Sequence, residues 1–321
     1  MKPSLSLPVL WLLFLTVCNP WKKQESLPEQ PSQIYTGPII DMHIHAYNHD
    51  IGGEMFGMDF PNPLTGKTYK GVKSPEEQMT ETFKKFDQHN IVLALTSDGQ
   101  LWYDNDPERV LISGRNMTTE ELRGLHEQDK LHAIGEMAPF YEGLTAENDS
   151  LKSYFDLAEE LGIPVGFHIF PGGAPGGIYM GDDKMRVKNA NPKQLEEVLV
   201  NHPKLRVYVM HGGLPYLEDM KAMLYAHPQL YLDIGVVNWG LPKEEFHSFL
   251  KGLFDAGFGN KIMYGTDQMV WPETIGVGID AINSAEFLTH EQKEDIFFNN
   301  AAEFLGLSEE HIQKHKTNQK R

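Results

Sequence analysis

From Gly37 onward, short apolar runs rich in β-branched residues alternate with longer amphipathic segments. The runs Ile39–His45, Ile91–Ser97, Val110–Gly114, Leu131–Met137, Ile163–Phe170, Leu205–His211, Leu230–Val236 and Lys261–Asp267 have the length and bias of buried strands. Helix starts and stops lie between most of them. Ser74-Pro75-Glu76-Glu77 is an N-cap, a first-turn proline and two acids at the positive helix end. Thr118-Thr119-Glu120-Glu121 repeats that logic, Leu151–Leu161 stops at Gly162, and Asn191-Pro192 and Leu241-Pro242-Lys243-Glu244 open two more helices. Eight strands separated by helices over residues 37–308 predict an α/β chain with a single-domain (β/α)8 TIM barrel. The crossover from Asp98 to Arg109 is short for a barrel, which makes Val110–Gly114 the weakest strand of the set. A doubly wound open sheet is the alternative, and the lack of a Gly-rich phosphate loop after the first strand counts against it.

The flanks do not share this pattern. Lys2 precedes Leu5–Val17, an apolar stretch shorter than the ~20 residues that span a bilayer but long enough for a signal-peptide core. The only cysteine, Cys18, follows in Leu-Thr-Val-Cys, which resembles a bacterial lipobox although Val17 is larger than usual there. The expected organisation is residues 1–18 as an export signal, with lipid attachment at Cys18 or ordinary cleavage as the two outcomes. Residues 19–36 follow as a linker, 37–308 as the barrel and 309–321 as a frayed polar tail. The expected location is periplasmic or membrane-anchored. A single cysteine rules out a disulfide framework and a Cys-based zinc site. A formal net charge of −17 argues against nucleic acid as a partner. The expected partner is a small-molecule substrate, with membrane contact only through a lipid at Cys18; oligomeric state is not legible.

The chemistry collects at strand ends. His43 and His45 are two apart in an extended run, so both side chains share one face, roughly 6.6 Å apart along the strand. Glu136 lies in the fourth strand and His168 in the fifth; His211 closes the sixth and Asp267 the eighth. A barrel builds its active site at the C-terminal ends of its strands. Buried imidazoles and carboxylates there are costly unless paired or ligated, and the set points to a divalent metal. His49, His126, His132, His202, His227, His247 and His290 lie mostly in helices, loops or strand starts and are read as structural or solvated.

The motifs Asp41-Met42-His43-Ile44-His45, Gly135-Glu136, His168, His211-Gly212-Gly213, Tyr264-Gly265-Thr266-Asp267 and Asn299-Asn300-Ala301-Ala302-Glu303-Phe304-Leu305 resemble the amidohydrolase superfamily, in its amidohydrolase 2 branch, over Ile39 to about Leu307. The resemblance implies that His43, His45 and Asp267 hold one metal. It implies that His168 and His211 hold a second or complete the first, and that Glu136 takes a bridging position. One or two ions, zinc above all, fit this pattern.

A divalent metal brings the pKa of bound water down to about 7. Asp267 is then the catalytic proton carrier, and His211 assists or steadies a developing oxyanion. The reaction expected is hydrolysis of an amide, lactone or ester. The alternatives are a metal-dependent decarboxylase of a small unsaturated or aromatic acid, and a non-catalytic surface binding lipoprotein. Arg115, Trp102, Tyr141 and Trp239 are the candidate substrate contacts, Arg115 for a substrate carboxylate; packing under loops is the other role open to the aromatics. Two long Gly- and Pro-rich connections, Ala46 to Lys73 and Pro171 to Asn189, are expected as pocket walls or lids.

Overall fold

The computed structural model describes residues 34–50, 52–172, 175–179 and 184–317. The expected signal, its Cys18 and most of the linker lie outside these residues. Ten strands are described: β1 (Ile39–His45), β2 (Phe60–Pro61), β3 (Thr68–Tyr69), β4 (Ile91–Ser97), β5 (Val110–Gly114), β6 (Leu131–Met137), β7 (Val165–His168), β8 (Val207–Met210), β9 (Leu230–Asp233) and β10 (Ile262–Met263). Eight of them form one parallel sheet in the order β1-β4-β5-β6-β7-β8-β9-β10, and β2 and β3 make a small hairpin in the first long connection. The ring nearly closes through Met42 N–H donating to the Tyr264 carbonyl (3.0 Å) and Asp267 N–H donating to that of His43 (2.6 Å). This is a TIM barrel, and the open sheet is set aside.

The helix signals behave as local physics predicts. Ser74 Oγ accepts from Glu77 N, Thr118 and Glu121 close a reciprocal capping box, and Gly162 ends its helix in the left-handed conformation. The short crossover after β4 still fits a helix, Gln100–Asn105. The later strands are shorter than expected. Their final residues leave the ladder: His211, Val236 and Asp267 all adopt positive φ (63°, 62° and 54°), a conformation that strains any residue but glycine. The tail is also corrected, since Glu309–Thr317 is helical, with acids at its first turn and Lys and His at its last to match the helix dipole. Tyr35, assigned to the linker, is buried and stacks on Phe297 (5.4 Å, 13°).

Two apolar layers position the site. One lies between strands and helices. The other, Ile40, Met42, Leu93, Leu95, Ala133, Tyr208, Met210 and Met263 with Phe298 and Phe304, is assembled largely from strand residues. In β1 the pairing register slips between Asp41 and Ile44. This is where the strand passes from Ile40 and Met42, in that apolar cluster, to the His43 and His45 pair, and such irregularities re-aim side chains.

Candidate metal centre

The six strand-end residues meet in one buried cluster. His43, His45 and Asp267 offer donor atoms within 4.8 Å of one another, as do His43, Glu136 and His211. Glu136 stands between the histidines. Its Oε2 faces His45 Nε2 (3.4 Å) and His43 Nε2 (4.0 Å), while its Oε1 faces His168 Nδ1 (2.6 Å) and His211 Nε2 (3.4 Å). His168 Nδ1 and His211 Nε2 are 3.0 Å apart. Asp267 Oδ1 lies 3.0 Å from His45 Nε2 and 3.6 Å from His43 Nε2.

The rear nitrogens explain how these rings are aimed. His168 Nε2 meets the Phe170 carbonyl (3.0 Å) and His211 Nδ1 meets that of Gly235 (3.1 Å). A carbonyl only accepts, so each of these nitrogens carries the proton. His45 Nδ1 meets Ser97 Oγ (2.6 Å), and His43 Nδ1 stands 3.2 Å from Asp233 Oδ2. In all four rings the remaining nitrogen turns to the common centre, the arrangement by which a protein fixes histidine tautomers for metal binding. A Cβ on Gly235 would come within 3.0 Å of His43 Nδ1, so the chain needs glycine there.

The charge of the cluster suits a cation. His43 Nε2 and Asp267 Oδ1 are buried with no hydrogen-bond partner among the described residues. Burial alone would lower the His43 pKa, but the carboxylates of Asp267, Asp233 and Glu136 outweigh it and raise it to about 9. His211, equally desolvated, is raised to about 9 mainly by its bond to Glu136 and by Asp267. Burial would raise Glu136, yet bonds from His168, His211 and His45 hold it well below the usual carboxylate range. His168 is lowered, by burial first and then by His211. Imidazoles that bind protons this tightly among ionised carboxylates form a site that a divalent ion can take over.

Asp233 and Ser97 are supporting residues that the sequence pattern alone does not single out, and Asp41 stands in the first motif without a role assigned to it. Asp233 ends an apolar run as the other site residues do, but the expected strand continued to Val236 and hid that position. Asp41 accepts from His43 N (3.1 Å), Thr266 N (2.9 Å) and Thr266 Oγ1, tying β1 to the segment that carries Asp267.

The candidate substrate contacts divide. Arg115 places Nη1 3.4 Å from His45 Nδ1, and the Tyr141 ring lies 5.0 Å from that of His168. Trp102 is corrected: it is fully buried between barrel and helix, against Phe83 and Phe86. Trp239 is corrected as well. It is buried among Tyr69, Phe60 and Trp271, and its Nε1–H donates to the Thr266 carbonyl (2.7 Å). Both rings anchor structure, since large aromatics gain most from complete burial. His202 bonds Asp156 and Val198, and His247 bonds Ala281, which are structural partners.

The family model described as Amidohydrolase matches residues 116–307. Among curated proteins, the chain is similar to Protein fluG of Emericella nidulans, at 20% identity over 146 residues. That match takes in 41% of this chain and only 17% of the relative's length. Among solved structures, it shares its fold with a probable 2-pyrone-4,6-dicarboxylic acid hydrolase from Acinetobacter baumannii, with TM-score 0.58 and 17% identity over 84% of this chain and 99% of that one. It also shares it with a 5-carboxyvanillate decarboxylase from Sphingomonas paucimobilis, with TM-score 0.57 and 12% identity over the same shares.

Proposed function

We propose, on the premise that this chain belongs to the amidohydrolase family, that it is a metal-dependent hydrolase that cleaves an amide, lactone or ester bond of a small molecule. The observation that carries this reading is Glu136, with one oxygen turned to His43 and His45 and the other to His168 and His211. In that reading His43, His45 and Asp267 hold one divalent ion, His168 and His211 a second, and Glu136 serves both. Ions so placed acidify water and polarise a carbonyl oxygen.

The protein's own part follows from its geometry. Asp267 reaches the centre from a left-handed backbone, and its Oδ1 has no hydrogen-bond partner among the described residues. The Asp267 carboxylate would take the proton of the attacking water and return it to the leaving nitrogen or oxygen. Both nitrogens of His211 are committed, to Gly235 and toward Glu136, which makes it a ligand in this reading and leaves no proton for an oxyanion. Asp233 holds the His43 ring, and Ser97 that of His45.

The same centre can serve decarboxylation, and the similar folds include a hydrolase and a decarboxylase. Metal analysis of the purified chain, with a screen of amides, lactones and aromatic acids on wild type and Asp267→Asn, separates the readings. Product carrying oxygen from labelled water supports hydrolysis, and release of carbon dioxide without that oxygen supports the lyase. A chain that gains no metal on incubation removes both. We propose further that the chain is exported and anchored through Cys18, a reading supported by the apolar run Leu5–Val17. Failure of labelled palmitate to enter the wild-type chain, or its entry into Cys18→Ser, would refute the anchor.

A further inference from the structure

We infer that Gln78 is a positioning residue: its amide bridges the seam where the barrel ring closes and holds His45 and Asp267 at the spacing that one ion requires. The inference deepens the metal-dependent reading above and rests on it.

The sheet order begins at β1 and ends at β10, and among the described residues no strand ladder pairs the two. His43 and His45 stand on one side of that seam and Asp267 on the other. Backbone bonds cross it from Met42 to Tyr264 and from Asp267 to His43. Beyond Asp267 no backbone bond joins the two segments among the described residues. The spacing of His45 from Asp267 is therefore the one that the ring's own hydrogen bonds fix least. The backbone there is also strained. Asp267 and Met269 both adopt positive φ (54° and 47°), which a residue other than glycine holds only where its neighbours impose it.

Gln78 supplies the missing link. It lies near the start of the helix Pro75–His89, which Ser74 caps, and its side chain is fully buried. Its Nε2 donates to the His45 carbonyl (2.8 Å) and to that of Met269. A carbonyl only accepts, so the two hydrogens of one amide serve one carbonyl on each side of the seam. A side chain thus adds a rung where the backbone rungs stop. Gln268 Nε2 approaches the same His45 carbonyl at 3.5 Å, too far for more than a weak bond. Gln78 Oε1, meanwhile, is buried with no hydrogen-bond partner among the described residues. Burying an unpaired acceptor is costly, and a residue that only filled space under the helix would carry no such atom. The donors are what this position needs.

The test measures two properties of the full chain: zinc affinity, by competition with a chelator, and the visible spectrum of the cobalt-loaded protein, which reports the geometry around the ion. Gln78→Met keeps the length of the side chain and loses both donors. Gln78→Asn keeps the donors but falls one methylene short of the carbonyls. Each should weaken zinc binding by about tenfold, the low end for a group behind a ligand, and alter the cobalt spectrum, while the metal-free protein still unfolds cooperatively. Thr82→Val lies one turn along the same helix, is equally buried, and removes a hydroxyl with no partner among the described residues. It should stay within about twofold of wild type, with an unchanged spectrum. Three results overturn the bridge: wild-type affinity and spectrum in both Gln78 variants, a loss in Thr82→Val as large as theirs, or metal-free Gln78 variants that no longer fold, since the amide would then hold the barrel and not the ligands. A wild-type chain that takes up neither zinc nor cobalt overturns instead the reading on which the inference rests.

Discussion

The two ends of the central strands are built on opposite terms. One apolar layer is filled by Ile40, Met42, Leu93, Leu95, Met210 and Met263 and backed by Phe298 and Phe304. The C-terminal ends of the barrel strands carry His43, His45, Glu136, His168, His211, Asp233 and Asp267, all buried. The apolar layer gains by excluding water and leaves no polar group to satisfy. The polar end holds charges that burial penalises, on backbone strained at His211 and Asp267. The comparison teaches that stability is stored in the apolar layer and function in the polar end, where a cation is needed to balance the charge.

The largest effect expected at the polar end is that of pH. His43 and His211 are raised to about 9, so each holds a proton that a divalent ion must displace. Metal affinity should fall by one to two decades per unit as pH drops below about 9, measured by competition with a chelator. The metal-free fold should show the opposite sign. A histidine whose folded pKa exceeds the unfolded value of about 6.5 stabilises below that value, and the contribution is lost as pH rises through about 9. Melting curves of metal-free protein that rise over this range would contradict the assignment.

Asp267→Asn should lower kcat by about 10²–10⁴-fold, the usual loss with a general base, while folding persists; steady-state kinetics on the substrate found by screening decides it. Phe298→Ala, in the apolar layer, should cost about 3–5 kcal/mol of stability and leave metal stoichiometry at wild-type level, as read by denaturant unfolding and metal analysis. Were it to lose metal in proportion, the division between the two regions would be wrong. Asp233→Asn should weaken metal binding by about 10–100-fold, the usual cost of removing a carboxylate behind a ligating histidine, and should also lower the metal-free melting point below about pH 9, because the Asp233 charge helps hold the His43 proton. Smallest of all, Trp102→Phe should cost less than about 1.5 kcal/mol and leave KM unchanged, because the ring faces Phe83 and Phe86 and not the centre.

Much of this division is legible in the residues. The apolar runs and caps are local signals, and β1, β4, β5 and β6 begin and end where their patterns do. The later strands are shorter because pattern reports burial, and residues such as Ile234 and Tyr264 stay buried after the ladder ends. Trp102 and Trp239 show the other limit. An aromatic in the segment after a strand end has two directions open to it, and only packing against Phe83 or Tyr69 decides which it takes.

The sequence by itself determined the strand and helix order and the six polar residues at matching strand ends, because periodicity and capping act over a few residues. The tertiary structure alone decided which nitrogen of each histidine faces inward, that Asp233 and Ser97 stand behind the rings, and that Arg115 lies beside His45 without a close carboxylate. Those facts depend on contacts between segments far apart in the chain. Hydrogen bonds and charge pairs act over about 3–4 Å, and closing the barrel is what brings these groups within that range.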